Sequence, residues 1–399
     1  MAVELLRRVP QLTLRPSPFC RECPARPYCN EQLTDLGCHP DGPNHPSLLH
    51  PASADWLDRL VEVNGVGLDY RAWKQDLPTL PPYIPIIRPS GWRDGFPTSE
   101  AIAVPLSHVE SLARRVRLRG ESAKTILGMS NRQPLIVLGF ESDAFLESRW
   151  PSRRRRRVYE AISDIAPDAA VAWNYSVWHR HARDWRYPRI EQLYSLKRSL
   201  KIYAELQQFG IPAIPHVYWG KFEDLDRWSS WLHENPTTTT IAVDLQTVDT
   251  SQSWRDAYHT LRYLRSRLSR SVHLLINGVC RRERVLALHE LWPELSVSNF
   301  AATFGNQLPY RKPYGLRQAW LSGQVEWTRQ EIFQNISAQY TSMANSDASQ
   351  YGRRDQDRTR STTEVSYLSR AVRKQLASGQ CAFADVEGSW GTLMSRSSA

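Results

Sequence analysis

The stretch IEQLYSLKRSLKIYAELQQFGIPAIPHVYW, residues 190–219, decides how this chain is read. Leu193, Leu196, Leu200, Tyr203, Leu206 and Phe209 recur every three to four residues, the spacing of a buried helical stripe, and Gly210 supplies a stop. Ala213 to Trp219 then follows as a short apolar run. A helix that delivers the chain straight into a strand is half of a strand–helix–strand unit, and the same beat recurs on either side.

Apolar runs at 83–87, 101–106, 135–140, 169–174, 241–245, 272–277 and 295–299 join 213–219 as strand expectations. Helical spacing returns at 222–233, 254–268 and 284–291. The runs are nearly continuous rather than alternating, so both faces are expected to be buried, as in a parallel sheet covered by helices. This predicts an α/β fold, a TIM-like (β/α) barrel of parallel strands with an irregular Cys-rich N-terminal cap. A doubly wound open sheet is the alternative, because the first two runs show no helix between them. Neither G-x-G-x-x-G nor G-x4-G-K-[ST] follows any strand, which counts against a Rossmann dinucleotide site or a P-loop.

Composition divides the chain into a Pro- and Cys-rich cap (1–80, with one helix around 55–63), the barrel domain (81–335) and a basic Ser- and Arg-rich tail (336–399). Residues 341–363 hold almost nothing to bury, while Val365, Leu368, Val372 and Leu376 space one short helix. The 399 residues suffice for one large core or two modest ones. No run approaches the roughly eighteen apolar residues of a membrane span, and no secretory signal opens the sequence, so a cytoplasmic protein without membrane contact is expected. A net charge of +10 favours polyanionic partners, nucleic acid or an anionic substrate. Several of the 15 tryptophans lie beside arginine, as at Trp92-Arg93, Trp185-Arg186 and Trp254-Arg255, a pairing that suits base stacking as well as core packing.

Two sets of residues carry chemistry. Cys20, Cys23, Cys29 and Cys38 fall in a C-x2-C-x5-C-x8-C pattern broken by prolines, with only Cys280 and Cys381 elsewhere. Four thiolates on one knuckle predict a metal site, zinc or an iron–sulfur cluster, with His39 or His45 as a substitute ligand and two disulfides or free thiols as the alternative. The second set lies at the C-terminal strand ends, where parallel α/β folds place their chemistry. Glu141, Asp143, Asn174, His216 and Asp244 are the candidate catalytic residues, with Tyr218, Gln246, Asn277 and Asn299 close by. Turns and helix caps account for any one of them. His216 and Asp244, however, interrupt apolar runs, where a polar group needs a partner. They are expected to share a site in which His216 titrates near neutrality and a carboxylate orients it or abstracts a proton, or in which the set holds a divalent metal. The run Arg153, Arg154, Arg155, Arg156, Arg157 is a candidate phosphate or nucleic-acid contact, its alternative being a solvated helix face.

Gly139-Phe140-Glu141-Ser142-Asp143, Ala166-Pro167-Asp168, Asn174-Tyr175-Ser176-Val177-Trp178, Leu196-Lys197-Arg198 and Gly210-Ile211-Pro212-Ala213-Ile214-Pro215-His216-Val217-Tyr218-Trp219 occur in this order. Over about residues 83–300 the series resembles domain-of-unknown-function family 4417 of bacteria, archaea and phages. The resemblance implies a TIM-like barrel, frequent residence on mobile elements, and no established reaction. Where that family often carries an Asn-Arg pair, this sequence has Leu196-Lys197-Arg198, so that role does not transfer. The expected function is an enzyme acting on a nucleic-acid-derived or other anionic substrate by acid–base or metal-assisted chemistry. The alternative is a non-catalytic metal- and nucleic-acid-binding protein of a phage, plasmid or other mobile element.

Overall fold

The computed structural model describes residues 56–88, 99–177, 189–248, 250–300, 338 and 340–342. The four N-terminal cysteines, Trp92-Arg93, Trp185-Arg186 and the expected tail elements from 343 onward lie outside the described residues.

Helix α1 (Trp56–Val63) precedes β1 (Tyr83–Pro85) and β2 (Ile102–Pro105), and a 3-10 turn then leads into α2 (Val109–Arg119) and α3 (Ala123–Ile126). Strand β3 (Leu135–Leu138) is followed by α4 (Asp143–Arg149) and α5 (Ser152–Ile165), and β4 (Ala169–Val171) by α6 (Arg189–Gln208). The remaining pairs are β5 (Ala213–Ile214) with α7 (Phe222–Glu234), β6 (Thr240–Asp244) with α8 (Ser251–Arg267), and β7 (His273–Asn277) with α9 (Arg282–Leu291), before β8 (Leu295–Asn299). Every expected run overlaps a strand, most often one shorter than the run itself, and β6 starts one residue earlier than expected. Among the described residues no helix is long and apolar enough to cross a membrane.

The strands form two four-stranded parallel sheets, in the orders β1-β8-β7-β6 and β2-β3-β4-β5. Single parallel bridges join them at both seams, Ile86 to Ala103 and His216 to Ala242. Two apolar clusters explain the continuous runs. Ile84, Ala103, Ile136, Leu138, Ala169, Val171, Ile214, Ala242 and Leu275 meet in an inner cluster, while the residues alternating with them, such as Val104, Val137, Ala170, Val243 and Ile276, face the helices. Each strand is thus buried on both sides.

Helix α6 ends as its sequence dictates. Gly210 takes φ +72°, a left-handed conformation that costs glycine little, and the amide of Ile211 returns to the carbonyl of Leu206. The stripe from Leu193 to Leu206 is buried, but Phe209 is 39% exposed and rests against Tyr159. Lys197 and Arg198 are buried as well, Lys197 under the segment 67–75 and Arg198 against Glu147 and the rings of Trp150, Tyr175 and Tyr194. The Lys197 ammonium donates to the Gly67 carbonyl (2.7 Å) and to Asp69, and sits over the Tyr70 ring. Burial pulls its pKa down, and Asp69 counters that.

The same segment repairs the seam between the sheets. Only His216 of the fifth run bridges to β6, which leaves the outward amide and carbonyl of Ala213 without a strand neighbour. The side chain of Gln75 takes that place: its Oε1 accepts from Ala213 N (2.6 Å) and its Nε2 donates to Ala213 O (2.9 Å). An amide side chain thereby acts as one residue of a missing strand. Gln75→Ala strands both groups, and since an unsatisfied buried polar group costs about 1–3 kcal/mol, the urea midpoint should fall by about that much stability with the far-UV spectrum retained.

Candidate active site at the C-terminal strand ends

Asp244 ends β6 on its inner side, opposite Asn277 of β7 in the pairing register. Its carboxylate is held by three donors. Asn277 Nδ2 (2.9 Å) and the Gln246 amide (3.1 Å) bond Oδ1, and Asn174 Nδ2 (2.9 Å) bonds Oδ2. The two asparagines are oriented in turn. Asn174 Oδ1 accepts from the Glu141 amide (2.9 Å), and Asn277 Oδ1 accepts from Ser298 Oγ (3.2 Å). Glu141 then reaches the end of β2, where its Oε1 accepts from the Ser107 amide (2.6 Å). A belt of hydrogen bonds therefore links residues at the ends of β2, β3, β4, β6, β7 and β8.

Two glycines let the belt close. Gly139 crosses the end of β4 so tightly that a Cβ would lie 2.5 Å from the Val171 carbonyl oxygen. Gly278 follows Asn277 at φ +90°, where a Cβ would meet the Gln246 backbone at 2.6 Å. Any side chain there pushes against the loop that carries the third donor to Asp244.

The electrostatics follow from depth. Asp244 is half-buried, where the other residues of β6 are buried. Burial pushes its pKa up to about 6, against the pull of Gln246, Asn277 and Asn174. Burial also raises Glu141, with the Ser107 hydrogen bonds and the positive charges of Arg88 and Arg149 acting the other way. Tyr218 is held protonated by burial and by the charges of Asp244 and Asp143. Asp143 opens α4 and accepts from the Ser176 amide (3.1 Å), tying the third and fourth strand ends together.

His216 requires a correction. The expectation of an imidazole titrating near neutrality fails, because the ring is 1% exposed and burial lowers its pKa to about 3. Nor does it bond Asp244; neither ring nitrogen has a hydrogen-bond partner among the described residues. The ring packs beside Phe140 and Tyr218, with centroids 5.5 and 5.7 Å away. It contributes a neutral polar wall.

The arginine run also separates. Arg155 turns inward, bonds Glu205 (2.7 Å from Nε) and covers Trp150, whereas Arg153, Arg154, Arg156 and Arg157 are exposed. Of the Trp-Arg pairs, Trp254 packs against the core under Arg284. Asp168 of the "PD" element lies at the opposite strand ends, accepting from Leu135 N (2.7 Å) and pairing with Lys124. Sequence reasoning missed Ser107, whose backbone amide leaves no mark in the side-chain pattern, and Arg88, whose only signal is its place just beyond the first run. Among the described residues no group of three His, Cys, Asp or Glu side chains converges as a metal would require. Compared with protein-family models and with curated proteins, the chain matches none of them.

Asp244 and His216 respond to pH in opposite senses. Asp244 binds its proton more tightly in the native state than unfolded, so its contribution to stability falls as pH rises from about 4 to about 6. His216 binds its proton less tightly when folded, so its contribution rises from about pH 3 to the unfolded value of 6.5. Native protein carries both slopes, and Asp244→Asn removes the falling one. Urea unfolding at pH 4 and pH 6.5 should therefore show a larger gain in stability with pH for the variant than for native protein; an equal gain would mean that the Asp244 carboxyl is not raised.

Proposed function

We propose that the eight strands close into a TIM-like barrel and that the chain is an enzyme using Asp244 for acid–base chemistry on an anionic substrate of small size, a nucleic-acid-derived one included. Closure is supported by the consecutive strand order, by one parallel bridge at each seam, and by the inner apolar cluster drawn from both sheets. The observation that carries the catalytic reading is the state of the Asp244 carboxylate. It is deep enough for a proton affinity near neutrality, open enough to be reached, and fixed by two asparagine amides. A base works best when its pKa lies near the working pH.

The hydrogen bonding selects an atom. Oδ1 takes two donors and Oδ2 takes one, which leaves Oδ2 the freer lone pair for a substrate proton. Glu141, beyond Asn174, supplies a second carboxyl of raised pKa, and the charges of Arg88 and Arg149 near it favour an anionic group on that side. Tyr218 stays protonated and can donate, while neutral His216 lines the floor.

A thermal-shift screen of phosphorylated and carboxylated metabolites, followed by turnover assays on the hits, tests this reading. Native protein should convert a hit that Asp244→Asn binds but turns over at least about 100-fold more slowly, the lower range for loss of a general base. Equal turnover by a folded variant removes Asp244 from the chemistry. The cysteines Cys20, Cys23, Cys29 and Cys38 carry a separate proposal, one zinc ion or iron–sulfur cluster. Metal analysis and a visible spectrum of protein purified without oxygen should show stoichiometric zinc or iron, reduced in Cys23→Ser; unchanged metal content in that variant excludes Cys23 as a ligand.

A further inference from the structure

Helices α2 and α5 pack side by side on the outside of the strands, tied together by the ion pair of Arg117 with Asp164. Their sequences, VESLARRVRLR and SRRRRRVYEAISDI, hold nine arginines against three carboxylates. Part of this set is engaged within the protein. Arg155 is buried against Glu205, Arg156 pairs with Glu160, and Arg154 donates to the Ser148 carbonyl. Arg114, Arg115, Arg153 and Arg157 make no hydrogen bond or ion pair among the described residues, and Arg114, Arg153 and Arg157 are exposed.

Folding does not account for this arrangement. The first turn of a helix favours acidic residues, because its unpaired amides and the helix dipole present positive charge. In α5 that turn holds Arg153 and Arg154 and no acid at all. Arg153 and Arg157 are also one turn apart, where like charges repel. Both placements cost stability, so the charge is explained by something it binds. Neither helix exposes an aromatic side chain that could stack on a base, and Leu118 is the one large apolar side chain they expose, too little to insert into a lipid surface. Guanidinium groups spaced along adjacent helices, without base-reading groups between them, match a line of phosphates.

We infer that the outer face of α2 and α5 binds the phosphate backbone of nucleic acid, independently of sequence, through Arg114, Arg115, Arg153 and Arg157. This does not depend on the proposed chemistry at Asp244, which lies on the inner side of the strands. Fluorescence anisotropy with a short mixed-sequence DNA duplex and with its single strand tests it across a range of salt. Native protein should bind with a steep salt dependence. The triple variant Arg114→Glu, Arg153→Glu and Arg157→Glu should lose affinity at least about tenfold, and the slope of log K against log salt should shrink by about 0.9 for each phosphate no longer neutralised. Arg262→Glu, an equal charge reversal per site on the exposed face of α8, should leave binding within about twofold.

Should the triple variant not fold, Arg153→Ala alone should lower both affinity and slope by the share of one phosphate. The inference is overturned if native protein binds neither nucleic acid, if it binds phosphatidylserine vesicles instead, if the arginine variants bind as native protein does, or if Arg262→Glu weakens binding as much as a reversal on α5.

Discussion

A carboxylate placed on the inner side of a strand must have its oxygens satisfied, and much of the arrangement at the C-terminal strand ends follows from that need at Asp244. Two asparagine amides and one backbone amide meet it. Each asparagine then carries a carbonyl with a demand of its own, met by the Glu141 amide on one side and the Ser298 hydroxyl on the other. The register of β6 against β7 is thereby constrained. Asp244 and Asn277 lie directly across from one another, and a slip of one residue would turn Asn277 to the helix side and leave the charge short of a donor.

The opposite strand ends are held by a different device. There, side chains stand in for backbone where the strands are too short to pair. Asp168 accepts from Leu135 N, and Gln75 pairs with both groups of Ala213. The segment carrying Gln75 is fastened by bonds to Lys197, Gln207, Asn235 and Trp231, so it spans α6 and α7 and presents the amide at a fixed height. Bonds to backbone groups left unpaired by short strands gather at one set of strand ends, and half-buried, pKa-shifted groups at the other. That polarity is the one expected of parallel α/β folds that place chemistry at the C-terminal ends.

The eight strands were legible because burial on both faces leaves continuous apolar runs, and the boundaries contracted in the structure because pairing stops before apolarity does. Tyr218 and Trp219, for example, are apolar neighbours of β5 that no longer pair. Asp244 and His216 were legible as polar interruptions of such runs, yet their relation was not. Sequence shows that both are inward, but not that the asparagines of the fourth and seventh strand ends bond Asp244 while the imidazole does not. Arg155 was hidden among its neighbours for a related reason. Five arginines in a row look alike until the helical period turns one of them toward Glu205. The segment over α6 gave no periodic signal, since its role is carried by single side chains.

The protonation pattern gives the inner site its direction. At neutral pH His216 is uncharged, Tyr218 retains its proton, and Asp244, with a pKa of about 6, is mostly ionised. The nearby carboxyl of Glu141 is also raised, but Arg88, Arg149 and the Ser107 bonds restrain it. Asp244 is thus an ionised group with the protonated Tyr218 near it, and the neutral His216 ring packs against Tyr218. Protonating His216 would charge a buried imidazole whose nitrogens have no hydrogen-bond partner among the described residues, which burial opposes. A proton on Asp244 is instead favoured by the same burial that raises its pKa.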